Sequence, residues 1–273
     1  MLGAIIGDIV GSRYEFSPHK SKHFELFGTD RSPCSYTDDS VMTVAVAAAF
    51  LETDGVPEGA EGEAAFEALL VRRMHEIGRK HMDSGFGGRF YGWIGQGLTE
   101  PYGSYGNGSA MRVSPAGWVA RSREEAERLA RLTAEVTHNH PEGLKGAESV
   151  AAAIWMARAG ATREEIRGYV TGKYYPALVG MTCDAIRPGY EFDESCQRTV
   201  PQAFAAFFEA RDFEDAIRTA VSLGGDCDTL TCICGAMAEA FFGLPEGFAE
   251  KALGFLDAEM REITERFRAR FQS

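Results

Sequence analysis

Apolar residues recur at intervals of three and four along most of the 273-residue chain, the spacing of one face of an α-helix. Val41–Leu51 reads as an alanine-rich helix buried on all sides. Glu63–Met82 reads as a long amphipathic helix with Phe66, Leu69, Leu70, Met74 and Ile77 on its stripe. Ser122-Arg123-Glu124-Glu125 has the capping-box form and opens a helix towards Val136, and Thr162–Glu165 repeats the signal. Further helices are predicted over Leu144–Ala159, Gln197–Ala210, Phe213–Ser222, Leu230–Phe242 and, as one element, Pro245–Phe271. Period-two alternation is scarce, and short aromatic Phe86–Trp93 and Tyr174–Val179 stay open between helix and strand. Alanine permits close helix approach, so Val41–Ala49 and Ala147–Ala153 are expected near the centre. The acidic stretch Asp54–Gly62 reads as a surface loop and not a linker. The expectation is an all-α fold, a compact multi-helix bundle forming a single domain over residues 1–273.

Composition narrows the function. Hydrophobic content of 45% and charged content of 25% exclude disorder, collagen and coiled-coil fibre for the chain as a whole. Twenty-eight basic against 40 acidic residues leave a net charge of −12. That argues against strong nucleic-acid binding or an acidic lipid surface, both of which need cationic neutralisation. It does not exclude a small anion held by backbone amides and metal ions. No apolar run reaches the ~20 residues of a membrane span. The N-terminus lacks a basic leader and is interrupted by Asp8, so it does not read as a signal peptide. The six cysteines show no disulfide framework, which points to a reducing, cytoplasmic setting. Cys227, Cys232 and Cys234 cluster without a CxxC pair, so buried thiols are expected over a zinc or iron–sulfur site.

Two acidic constellations stand out. Tyr36-Thr37-Asp38-Asp39-Ser40 precedes one apolar helix, and Gly224-Gly225-Asp226-Cys227-Asp228-Thr229 precedes another. Helix capping explains one such carboxylate. Two beside an apolar helix, twice over, carry a charge that two divalent cations would balance, and oxygen ligands suit magnesium or manganese. Spacing alone leaves metal binding and doubled capping as alternatives. Tyr105-Gly106-Asn107-Gly108-Ser109 is a small-residue loop that would let backbone amides approach a ligand, although Asn-Gly is also an ordinary turn. Gly3–Ser12 is a small-residue helix with Asp8 inside it, read as a close helix crossing with a capping carboxylate. His138 and His140 follow a helix end.

Taken in order, these segments resemble the ADP-ribosylglycohydrolase family, which includes dinitrogenase reductase-activating glycohydrolase and animal ADP-ribosylhydrolases. The matching stretches are GAIIGDIVGSRYEF (Gly3–Phe16), YTDDS (Tyr36–Ser40), GRKHMDSGFGGRFYGW (Gly78–Trp93) and GNGSAMRVSPAGW around Asn107. THNHPEGLKGA (Thr137–Ala147) and SLGGDCDTLTCICGAMAEAFFG (Ser222–Gly243) complete the set, so the resemblance runs from residue 3 to about residue 245. It implies a site for two divalent ions, Mg2+ or Mn2+, held by Thr37, Asp38 and Asp39 on one side and Asp226, Asp228 and Thr229 on the other. It implies that Glu15 sits on a mobile flap over the metals, that Gly106, Asn107, Gly108 and Ser109 cradle a pyrophosphate, and that His138 faces the ligand. Tyr105, or nearby Tyr102, would stack on adenine, and Asp83 matches a candidate base of one branch. Ser40 and Cys227 stand where threonine is common, and neither change removes a carboxylate.

The activity so implied is metal-dependent hydrolysis of the glycosidic bond between ADP-ribose and an acceptor. Glu15, Asp38, Asp39 and Asp228 are the candidate catalytic residues. The substrate is an ADP-ribosylated protein, nucleobase or small molecule. One rival reading is a non-catalytic ADP-ribose-binding or crystallin-like protein on the same fold. Another is a helical phosphohydrolase, for which His81-Met82-Asp83 is the nearest approach to a His-Asp pair.

Overall fold

The computed structural model describes residues 1–29, 31–53 and 56–272. The molecule is helical almost throughout. Strand structure among the described residues is a hairpin of two residues a side, with Gly28 opposite Pro33 and Thr29 opposite Ser32. No helix among the described residues is long and apolar enough to cross a membrane.

The predicted helices form, with adjusted ends. Asp38–Glu52 is buried along nearly its whole length, and Pro141–Arg158 buries Ala147 and Ala151–Ala153. Thr162 makes the full reciprocal capping box with Glu165. Ser122 makes half of one: its Oγ accepts from the Glu125 amide at 3.1 Å, but the Glu125 carboxylate turns back to the Arg121 amide at 2.7 Å. Three expectations are corrected. Pro245–Phe271 is two helices, Phe248–Phe255 and Ala258–Phe271, because Asp257 caps a new start by accepting from the Met260 amide at 2.8 Å. Glu63–Met82 starts earlier and stops sooner, as Gly59–Gly78 followed by the 3-10 turn Arg79–His81. The loop expected over Asp54–Gly62 therefore ends at Glu58, while Asp54 and Gly55 lie outside the described residues. Both ambiguous aromatic segments are helical, as Gly88–Gln96 and the 3-10 turn Pro176–Leu178.

One helix crossing positions the site. Leu2–Gly11 is buried on every face and lies along Cys227–Phe242. Gly3, Gly7 and Gly11 recur every fourth residue, on one stripe of the helix. A Cβ on Gly7 would fall 2.1 Å from the Thr231 carbonyl oxygen, and one on Gly11 2.6 Å from the Asp228 Cα. The absent side chains let the two backbones touch, which carries Asp8 into the neighbourhood of Asp228. Gly7→Ala is expected to cost about 3 kcal/mol through overpacking and to lower the melting temperature by roughly 10 °C. Gly168→Ala, at an exposed helical site with nothing within 4 Å, is the control and is expected to be neutral or slightly stabilising. Calorimetric melting of the two variants side by side checks this.

Candidate metal and ligand site

Three helices deliver carboxylates to one place. Asp38 and Asp39 open Asp38–Glu52, after Thr37 in extended backbone. Asp226 and Asp228 flank the start of Cys227–Phe242, after Gly224 and Gly225 with φ of +70° and +77°. A side chain at Gly225 would also strike the Tyr190 ring at 2.4 Å, so glycine is required there on two counts. Asp8 comes from the Leu2–Gly11 helix. It accepts from the Thr37 amide at 2.9 Å, the Thr37 hydroxyl at 2.7 Å, the Ser40 amide at 3.0 Å and the Ser40 hydroxyl. One helix thus caps another through a buried carboxylate.

The two constellations meet. Thr229 Oγ1 donates to Asp39 Oδ2 at 3.1 Å, and Thr37 Oγ1 lies 3.3 Å from the same oxygen. Asp8, Asp39 and Asp228 place one oxygen each within 4.8 Å of one another, and Glu15, Asp226 and Asp228 do the same. Asp228 belongs to both groups. Asp38 lies outside these two tightest groups but lines the same cleft. Asn107 Nδ2 donates to Asp226 Oδ2 at 2.6 Å and fixes that carboxylate.

Burial first, and then the neighbouring carboxylates, hold Asp38, Asp39 and Asp228 well above the ordinary carboxylate range. Burial also raises Asp8 and Asp226. Glu15 is pushed up to about 8 by burial, then by Asp228, Asp8 and Glu194. The charges acting on Asp38, Asp39, Asp226 and Asp228 are other carboxylates, and hydrogen bonds oppose the upward shift of Asp8, Asp38, Asp226 and Asp228. Asp39 Oδ1 is buried with no protein partner. Packed oxygens of one sign with an orphan among them fit a hard divalent cation, whose charge would reverse these shifts.

The cleft also carries two arginines. Arg89, Tyr102, Arg112 and His138 line it together with Glu15, Asp38, Asp226 and Asp228. Arg89 donates to the Tyr102 carbonyl and lies 4.7 Å over the Tyr102 ring. Gly106, Asn107 and Gly108 line it as well, Asn107 bonded to Asp226 and Gly108 beside His138. The loop is less free than its sequence suggests. The Gly106 amide bonds Ser104 Oγ at 3.2 Å and the Asn107 amide bonds the Glu194 carbonyl at 2.7 Å. Ser109 is fully buried and donates to the Gly143 carbonyl at 2.7 Å. Gly108 and Ser109, at the start of Gly108–Met111, keep amides without an intrahelical partner.

Other sequence candidates fall elsewhere. Tyr105 is half exposed and its ring packs on His140, while Tyr102 and Phe90 are the aromatics that line the cleft. His140 is a helix cap, accepting from the Glu142 amide at 3.2 Å. Asp83 is exposed and outside the cleft lining. His81 Nε2 sits 3.1 Å from Asp257, not in a pair with Asp83. All six cysteines are buried and unpaired, and Cys227 Sγ lies 3.9 Å from the Val221 carbonyl oxygen. Asp8, Arg89, Phe90, Arg112 and Glu194 belong to the site, and the sequence does not single them out as site groups. Asp8 had one signal, a lone carboxylate in an apolar helix. Arg89 and Arg112 lie inside two of the matching stretches, but nothing there says that their side chains reach the cleft, because their place depends on tertiary contacts.

The chain is helical and brings clustered carboxylates and two arginines to one cleft, and it belongs to the ADP-ribosylglycohydrolase family, whose model matches residues 1–273. Among curated relatives, an uncharacterised Archaeoglobus fulgidus protein is 33% identical over 57% of this chain and 55% of its own length. ADP-ribosylarginine hydrolase Tri1 of Pseudomonas putida is 27% identical over 92% of this chain and 72% of its own. ADP-ribosyl-[dinitrogen reductase] glycohydrolase of Rhodospirillum rubrum is 25% identical over 95% of this chain and 91% of its own. A solved ADP-ribosylglycohydrolase-related protein complex shares the fold, with TM-score 0.70 and 24% identity over 98% of this chain and 95% of that one.

Proposed function

We propose that residues 1–273 form one hydrolase domain that releases ADP-ribose from a glycosidic linkage with the help of divalent cations. The observation that carries it is the junction of the two carboxylate groups at Asp228, in a cleft that Arg89 and Arg112 also line. Asp8, Asp39 and Asp228, and Glu15, Asp226 and Asp228, are the residues that would hold Mg2+ or Mn2+, with Asp38, Thr37 and Thr229 beside them. Bound there, the cations would supply Lewis acidity towards ribose hydroxyls and water.

The side chains sort the ligand by charge. Arg89 and Arg112 attract the pyrophosphate, and neutral His138 and the Gly108 amide offer it hydrogen bonds. Tyr102 offers a ring face to adenine. The distal ribose then falls at the carboxylates. Breaking its anomeric bond passes through an oxocarbenium-like state. Glu15, half-buried beside those carboxylates, is placed to stabilise the developing positive charge or steer the attacking water. Six unpaired thiols fit a reducing cytoplasm as the place of work. The acceptor would be an ADP-ribosylated protein side chain, nucleobase or small molecule.

Glu15→Gln is expected to lower kcat by about a hundredfold or more while ADP-ribose affinity changes by less than about threefold. Single-turnover kinetics and calorimetry with ADP-ribose separate the two. Parallel loss of both would reduce Glu15 to a binding residue.

A further inference from the structure

His138 is the one buried cationic-type side chain of the cleft that exists as either of two neutral tautomers, and the residues behind it choose between them. Arg112 Nη2 donates to the Thr133 carbonyl at 2.9 Å and to Thr137 Oγ1 at 2.8 Å. Thr137 Oγ1 in turn lies 2.8 Å from His138 Nδ1. Arg112 is 1% exposed, Thr137 0% and His138 5%, so water does not complete these bonds.

A guanidinium has no acceptor, so the Arg112–Thr137 bond has one direction. The threonine hydroxyl accepts there and keeps a proton to give. Among the described residues the acceptor within reach of that proton is His138 Nδ1. The opposite assignment, Nδ1–H pointing at Oγ1, would leave the hydroxyl proton buried and unpaired, which costs about 1–3 kcal/mol. Nδ1 is therefore the acceptor, and the ring proton sits on Nε2. Nε2 has no hydrogen-bond partner among the described residues. It faces the loop: a Cβ on Gly108 would come within 3.0 Å of it and one on Gly106 within 3.6 Å.

We infer that Arg112 and Thr137 are positioning residues that fix His138 as the Nε2–H tautomer, a hydrogen-bond donor aimed between Gly106 and Gly108 at an oxygen of the bound ligand. The ligand part rests on the ADP-ribose reading above; the tautomer does not. Burial, and then Arg112 and Arg89, also keep the imidazole from protonating near neutral pH. A neutral ring in this tautomer donates at Nε2 to an oxygen, and cannot accept there.

The tautomer is read directly by two-bond 1H–15N correlation on the ligand-free protein at pH 7, with His138 assigned by its loss in His138→Gln. The expected wild-type pattern has Nδ1 unprotonated and Nε2 protonated. Thr137→Val, which keeps the shape and removes the hydroxyl, should lose that pattern, and Thr137→Ser should keep it. Calorimetry with ADP-ribose should show Thr137→Val weaker by about tenfold, the value of one hydrogen bond, and Thr137→Ser within about twofold of wild type. Nδ1–H or imidazolium in the wild type overturns the inference, as does an unchanged ring in Thr137→Val. If Thr137→Val fails to fold, the wild-type spectrum and the serine variant still decide. A wild type with the expected tautomer that binds no ADP-ribose supports the relay and contradicts the functional reading instead.

Discussion

Asp228→Asn is expected to leave the protein folded and to remove turnover. Asp228 is 3% exposed and is the residue shared by both carboxylate groups. Losing it should cost on the order of a thousandfold in kcat/KM, about 4 kcal/mol of transition-state stabilisation. A purely structural role predicts a different pattern. Asparagine keeps the shape of the side chain and removes one negative charge from a cluster whose members repel one another. In chelator at pH 8 the variant should therefore melt at or above the wild-type temperature, a gain in stability bought with function. Asp184→Asn, at a side chain 90% exposed, should change neither quantity. Activity and stability falling together in Asp228→Asn would make this aspartate part of the framework and not of the site.

Chelator-treated protein is expected to lose stability as pH rises, and divalent cations to restore it. The sign follows from proton counting. Burial and neighbouring carboxylates raise Asp38, Asp39 and Asp228 well above their ordinary values, so the folded state holds protons that the unfolded chain releases above about pH 4. The native state then binds more protons than the unfolded one, and stability falls as pH climbs from the unfolded values through the folded ones. A cation among these oxygens removes the penalty, and removes more of it at pH 8 than at pH 6. At a concentration of about 100 times Kd the gain is about 2.7 kcal/mol, roughly 5–10 °C in melting temperature for a chain of this size. Calorimetry with EDTA, magnesium or manganese at the two pH values checks it. Equal melting at both values, unmoved by either cation, would show that the carboxylates are not a cation site.

Much of this was legible in the chain because its signals are local. Thr162-x-x-Glu165 specifies a helix start within four residues, and the box forms. Carboxylate and hydroxyl pairs before two apolar helices marked Asp38, Asp39, Asp226 and Asp228, and those helix starts do converge. Local signals fail where tertiary structure decides. Leu256-Asp257 interrupts no apolar periodicity, so the pattern predicts one helix where Asp257 caps a second. Asp8 was read as a capping carboxylate, which it is, but its place beside Asp228 depends on Gly7 and Gly11 meeting a helix more than 200 residues away. Tyr102 and Tyr105 are three residues apart in one loop, and nothing in their spacing says which ring turns inward. Arg112 and Thr137 carry no motif that links them; the contact across 25 residues of chain makes them partners.

The central claim is hydrolysis of an ADP-ribosyl bond at the Asp228 cluster. The direct measurement is chromatographic detection of free ADP-ribose from arginine-linked and serine-linked peptides and nucleobase conjugates, with magnesium, with manganese and with EDTA. The expected result is release from at least one linkage with a cation present, lost in EDTA and lost in Asp228→Asn. Tight calorimetric binding of ADP-ribose with no linkage cleaved under any cation condition would contradict it and leave a binding protein on this fold.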